Sequence, residues 1–250
     1  MKVAAYQAPL LADGATEALG LIREQVVRCE SQRVDILCCP EGVLGGLADY
    51  VAQPAAIALH CGELNDVLAP LASDTVTTIV GFTETDRRGR LYNSAAVFHR
   101  GSVIGVYRKL HPAINKSVYS AGDAMAVFTV PGLTFGVIIC RDSNFPEPAS
   151  VMASRGATAL FVPTNNGLPL KRSSPDIIAD ARRADIARAT ENRVSVIRAD
   201  VAGRADQLLS YGSSAIANFD GRVLATARQL SADLIVAEIE PAPASSRTLE

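Results

Sequence analysis

The sequence predicts an α/β fold, with mixed sheets covered by helices on their outer faces, and three observations predict it. Short apolar runs alternate with longer amphipathic ones along the chain. Between residues 77 and 107 the β-branched runs are joined by polar turns too short for crossovers, so they read as antiparallel hairpins. Finally, 48% hydrophobic and 20% charged residues over 250 positions supply a sizeable core without disulfide or metal staples. This composition excludes disorder, collagen and coiled coil. A formal net charge of −2 leaves no electrostatic footprint for nucleic acid or an anionic membrane. No apolar run reaches the ~18 residues of a membrane span, and residues 2–11, interrupted by Gln7 and Pro9, do not read as a signal peptide. The five cysteines (Cys29, Cys38, Cys39, Cys61, Cys140) are an odd set with no C-x-x-C pair. They point to a reducing, cytoplasmic setting rather than to disulfides or zinc. No linker or repeat divides the chain, so residues 1–240 are expected to form one domain and 241–250 a polar tail.

Element by element, residues 3–8 read as a strand and 15–33 as a helix, with Leu19, Ile22, Val26 and Val27 at helical spacing. Residues 36–40 form a continuous apolar run, as in a strand covered on both faces. The Ala/Leu-rich stretch 53–73 reads as helix, broken near Gly62. Strands follow at 77–83, 91–98 and 102–107, then a hairpin of 126–130 and 133–139 about Pro131-Gly132. A helix at 147–155, a strand at 159–163 and a helix at 176–192 come next. Strands at 194–200, 213–218, 222–225 and 234–239 complete the pattern, with Asp220-Gly221 as a hairpin turn.

Three segments place a reactive side chain where a strand gives way to a loop. They are Glu41 after Ile36-Leu-Cys-Cys-Pro40, Lys109 after Val106-Tyr-Arg108, and Cys140 after Gly136-Val-Ile-Ile139. Singly, each has an ordinary reading. A free cysteine is usually an inert buried hydrophobe, a lysine after a strand a solvated edge residue, and a glutamate after proline a helix start. Cys38 and Cys39 keep that reading, since adjacent strand residues face opposite ways. Jointly, Glu41, Lys109 and Cys140 are a sufficient kit for covalent acyl transfer. A carboxylate in a partly desolvated pocket takes the thiol proton, and an ammonium favours the thiolate and stabilises an oxyanion. Of the three histidines, His60 and His99 lack a catalytic setting, and His111 reads as a supporting loop residue. The stretch Gly42-Val-Leu-Gly-Gly46 lacks the spacing of a phosphate loop.

Pro40-Glu41, then Tyr107-Arg-Lys-Leu-His111, then Ile139-Cys-Arg-Asp142 with Phe145-Pro-Glu147, is similar to the nitrilase superfamily of carbon–nitrogen hydrolases. Asn93-Ser-Ala95, Gly122-Asp123, Ala189-Thr-Glu-Asn192, Gly212-Ser-Ser214 and Asp220-Gly221 extend the likeness over about residues 1–240. The resemblance implies a four-layer α-β-β-α sandwich with the triad at the sheet ends. By position, Glu41 is the general base and acid, Lys109 the oxyanion stabiliser and Cys140 the nucleophile, with the Arg141 backbone N–H as second oxyanion donor. Two departures bear on the pocket wall. Asn115 stands where many members carry a second glutamate, and Gly45-Gly46-Leu47 where many carry Gly-Tyr. Asn115, Arg141, Asn165 and Asn166 are the candidate substrate contacts. Arg141 pairs either with a substrate carboxylate or with Asp142 or Glu147.

The implied activity is cleavage of a non-peptide C–N bond in a small amide or carbamoyl compound, through a thioester and without metal or organic cofactor. The nitrile-cleaving branch leads one to expect Trp-Glu after the cysteine, where this chain has Arg141-Asp142. An acyl- or amidotransferase, or a catalytically silent binding protein of the same fold, are the alternatives. A homodimer or higher homo-oligomer is expected, the mean hydropathy being +0.18.

Overall fold

The computed structural model describes residues 1–12, 15–113 and 116–242. Among the described residues, sixteen strands fall into two sheets. The first sheet is built around β1 (Lys2–Pro9), β2 (Ile36–Cys38), β4 (Thr77–Thr85), β5 (Leu91–His99) and β6 (Ser102–Arg108), paired in that order. The short β3 (Leu59–His60) runs parallel to β4. The second sheet holds β7 (Val127–Val130), β8 (Leu133–Val137), β9 (Ala159–Pro163), β11 (Ser195–Ala199), β14 (Ala215–Ala217) and β15 (Val223–Thr226). The remaining strands belong to the first sheet: β10 (Leu168–Pro169), β12 (Val201–Ala205), β13 (Leu208–Ser210) and β16 (Asp233–Glu238). β12 and β16 share one edge of β1: β16 runs antiparallel along Lys2–Gln7, and β12 runs parallel at Ala8 and Pro9.

Alternation along the strands sorts the apolar side chains into two cores. Val3, Ala5, Ile36, Cys38, Ile79 and Val97 meet Phe135, Val137, Phe161 and Ile197 between the sheets. Their neighbours Ala4, Tyr6, Leu37, Cys39, Val80 and Phe82 face outward. There they pack with Ile22 and Val26 of helix α1 (Ala18–Ser31) and Leu64 and Leu68 of α2 (Leu64–Leu68). This two-sided burial is why residues 36–39 are apolar without a break. Helices α3 (Pro146–Ser154) and α4 (Asp176–Asn192) cover the second sheet, through Ala149, Met152 and Ala189. The layers are therefore helix, sheet, sheet, helix.

The structure departs from the sequence pattern in two places. Stretch 53–73 is not one broken helix: β3, the single turn α2 and short 3₁₀ turns at Pro54–Ile57, Cys61–Glu63 and Ala69–Leu71 occupy it. Pro54, Gly62 and Pro70 interrupt the helical pattern too often for it to propagate. Residues 201–210, given no strand by the sequence, form the hairpin β12–β13. Arg204, Asp206 and Gln207 mask its apolar positions, and the chain passes from the second sheet to the first at Asp200. Most of the expected tail lies outside the described residues.

Candidate active site

Glu41, Lys109 and Cys140 each lie just beyond a strand end, and the two sheets bring them to one place. The backbone of Glu41 follows β2 and is held between the sheets, its N–H donating to Thr164 O at 3.3 Å. Gly81 of β4 makes room for it: a Cβ there would overlap the carbonyl oxygen of Pro40 and lie 2.6 Å from Gly42 N. Lys109 follows β6, its N–H donating to Asn93 O and its carbonyl accepting from Gly122 N, both at 2.8 Å. Consecutive cations then part company. Arg108 reaches Glu84 with two donors, Nε at 2.9 Å and Nη2 at 2.5 Å. Lys109, only 2% exposed, places Nζ 2.5 Å from Oε1 of the equally buried Glu41. The solvated edge-lysine reading therefore does not hold.

Glu41 accepts two side-chain donors on one oxygen and a single backbone donor on the other. Oε1 also accepts from Asn93 Nδ2 at 2.7 Å, whereas Oε2 accepts the Asn165 backbone N–H at 2.9 Å. Burial works against the Lys109 ammonium, yet the charges of Glu41 and Cys140 and the Glu41 hydrogen bond hold its pKa above the usual lysine value. Cys140 begins a 3₁₀ turn, Cys140–Asn144, at a left-handed φ of +44°, a conformation that strains a residue with a Cβ. Burial pushes its thiol up to about 12; the Glu41 charge adds to this, and Lys109 and Arg198 oppose it. Burial and the Glu41 charge together outweigh the pull of the Lys109 ammonium toward the thiolate. A cavity of about 100 Å³ is lined by all three residues, with Asn93, Asn165 and Asn166. A second, of about 210 Å³, touches Cys140 from the side of Arg141, Ser143 and Arg198.

Asp142, fully buried, ties the lysine loop to the cysteine turn. Its carboxylate accepts from Tyr107 OH at 2.8 Å, His111 N at 2.8 Å and Ile139 N at 3.1 Å, with His111 Nδ1 at 3.0 Å. His111 also stacks on Phe145 at 3.7 Å between ring centroids. It braces the Asp142 carboxylate and does not line the cavity. Neither His60 nor His99 lines the cavity. Arg141 pairs with neither Asp142 nor Glu147, since Asp142 is already surrounded by donors. Its Nη1 donates to Ala113 O at 3.1 Å instead, and the side chain is exposed beside Cys140. Asn165 braces Glu41, and Asn166 lies between the cavities. Asn115 lies outside the described residues.

The carbon-nitrogen hydrolase family profile matches residues 2–246. This chain belongs to the carbon-nitrogen hydrolase family. A hydrolase in the pqqF 5′ region of Pseudomonas protegens is 33% identical over 233 residues, 91% of this chain and 79% of that one. An (R)-stereoselective amidase from a Pseudomonas species is 32% identical over 196 residues, 76% of this chain and 68% of that one. The solved glutamine-dependent NAD⁺ synthetase of Acinetobacter baumannii overlays with a TM-score of 0.80 at 22% identity. The match covers all of this chain but only 48% of the synthetase, so it speaks for the fold.

This carbon-nitrogen hydrolase also carries buried charges that sequence reasoning missed. Arg198 of β11 pairs through Nε and Nη2 with both oxygens of Asp185 on α4, at 2.8 and 2.6 Å, and donates to Thr164 Oγ1 and Ser143 Oγ at 2.7 and 2.8 Å. An arginine inside the apolar run 194–200 was the available signal, because an ionised group buried in a strand needs a partner. Nothing in the spacing identified Asp185 as that partner.

Proposed function

We propose that this protein is a thiol hydrolase that cleaves a non-peptide C–N bond in a small amide or carbamoyl compound. One observation carries the reading: a buried carboxylate and a buried ammonium, 2.5 Å apart, line a small cavity together with a cysteine. In this mechanism Cys140 Sγ attacks the carbonyl carbon while its proton passes to Glu41, whose Oε2 has the open lone pair. Lys109 Nζ and the backbone N–H of Arg141 hold the oxyanion; the latter is an early helical donor with no acceptor in its own turn. Glu41 returns the proton to the departing nitrogen as the C–N bond breaks. It then takes a proton from water, whose oxygen attacks the thioester and releases the acid and the free thiol. A resting thiol near 12 suits this order, because deprotonation accompanies attack instead of preceding it.

The polar side chains that line the cavity, Asn93, Asn165 and Asn166 among them, support an amide over a nitrile. The test is ammonia or amine release from short aliphatic amides, dicarboxylate monoamides and carbamoyl amines, beside aliphatic and aromatic nitriles. Release from at least one amide, abolished by Cys140→Ala, is expected. Faster turnover of a nitrile than of every amide, or undiminished release by the variant, would overturn the reading. Added hydroxylamine separates hydrolysis from acyl transfer, since a transferase diverts most of its thioester to the hydroxamate.

A further inference from the structure

Asn166 borders both cavities that meet at Cys140, and the direction in which its side chain points is set by chemistry. Its backbone N–H donates to Asp200 Oδ1 at 2.9 Å, and its Nδ2 lies 2.8 Å from Asp200 Oδ2 and 3.2 Å from Ser213 Oγ. Asp200 Oδ1 also accepts from Val201 N at 2.8 Å, and Oδ2 from Ser213 N at 3.0 Å and the Ser213 hydroxyl at 2.6 Å. Every polar group on this carboxylate is a donor. A side-chain amide can join such a set only through its NH₂ end, because its carbonyl oxygen would meet another acceptor. The carbonyl end is the one left over: among the described residues Asn166 Oδ1 accepts no hydrogen bond, and the side chain is only half-buried.

Resting on the assignment of Cys140 as nucleophile, we propose that Asn166 Oδ1 is a fixed acceptor for the N–H of the scissile amide. Asn166 is thereby a specificity-determining residue that selects primary amides and carbamoyl groups over esters and nitriles with the same acyl chain. Those competitors bring no N–H, so the acceptor is desolvated without a partner when they bind. Asp200 acts through Asn166. Sitting where the chain crosses from β11 to β12, it holds the amide in one of its two orientations. The departing amine meets the same acceptor as it leaves.

The test uses two reagents that differ only in this donor, so it does not depend on knowing the natural substrate. Iodoacetamide carries a primary carboxamide, and methyl iodoacetate replaces it with an ester. Their alkylation rates at Cys140 are read by peptide mapping, and the amide-to-ester ratio is normalised to that of free glutathione. In the wild-type protein the normalised ratio should exceed unity by about tenfold, the worth of one hydrogen bond. Asn166→Ala should bring it to about unity. Asp200→Asn should lower it as well, since an amide at 200 offers an NH₂ and lets Asn166 turn its own NH₂ toward the cavity. A wild-type ratio near unity, or a raised ratio unchanged in both variants, would overturn the proposal and leave the nucleophile in place. Absence of Cys140 labelling by either reagent, with Cys61 labelled, would overturn the nucleophile assignment itself.

Discussion

Burial is the largest influence on the Cys140 thiol, and the adjacent Glu41 charge reinforces it. At neutral pH the sulfur is therefore protonated, and its reactivity depends on a base within reach. Cys61 is the exposed competitor, but its thiol is also pushed up to about 12, by desolvation and by donating to Glu84 at 3.0 Å. Cys140 should label first of the five cysteines with iodoacetamide. Its rate should fall sharply in Glu41→Gln, because the thiol proton passes to that carboxylate during attack. An undiminished rate in Glu41→Gln, or faster labelling of Cys61, would remove the role given to Glu41. Lys109→Ala should lower kcat by roughly 10²–10³ with a much smaller change in KM, as for loss of one oxyanion donor. Lys109→Arg should fail similarly, since a planar guanidinium does not fit where a compact ammonium sits 2.5 Å from Glu41. Near-normal kcat in Lys109→Ala would leave the lysine with a purely structural part.

At Gly81, strand β4 and the β2 loop meet backbone to backbone, which makes this position sensitive to any side chain. Gly81→Ala sets its new methyl against Pro40 O and Gly42 N, and neither backbone atom can swing aside. A stability loss of about 1–3 kcal/mol is expected, as in other overpacked sites. Displacement of Glu41 should lower kcat beyond what the fall in Tm explains. Calorimetry with a kinetic assay checks both. Helix α4 is fastened to β11 by the buried Arg198–Asp185 pair. Arg198→Met leaves Asp185 as an uncompensated charge and should cost about 3–5 kcal/mol in urea unfolding. The double variant Arg198→Met/Asp185→Leu should recover much of that loss. Equal losses in single and double variants would show that the pair contributes by packing rather than by charge.

For the whole molecule, a homodimer is the expected state. Val27, Ile104, Val118 and Leu230 are each at least 43% exposed, a scatter of apolar surface consistent with pairing but not locating it. Light scattering should give twice 26.3 kDa at micromolar concentration, and a 26.3 kDa particle would refute it. Much of this architecture was legible from period and punctuation. The largely apolar stretch of β1, the unbroken run at 36–39 and the turns at Pro131-Gly132 and Asp220-Gly221 each carry a local physical signal. So did the three strand ends bearing Glu41, Lys109 and Cys140. Features that depend on distant partners were not legible. The β12–β13 hairpin takes its place from β1, nearly two hundred residues earlier in the chain. The Asp142 tie joins segments more than thirty residues apart and the Arg198–Asp185 pair two consecutive elements, and in neither case does a polar residue announce its partner.

The pairing of β1 with β16 also bears on the order of events during synthesis. β1 lies at the middle of its sheet and takes its antiparallel neighbour from residues 233–238, synthesised more than two hundred residues after it. Until then one edge of β1 along Lys2–Gln7 is bare, with Val3, Ala4, Ala5 and Tyr6 ready to pair with any extended chain nearby. A nascent or prematurely terminated polypeptide lacking β16 therefore presents an adhesive edge that the finished protein conceals, and its dependence on chaperones should end abruptly once that strand emerges.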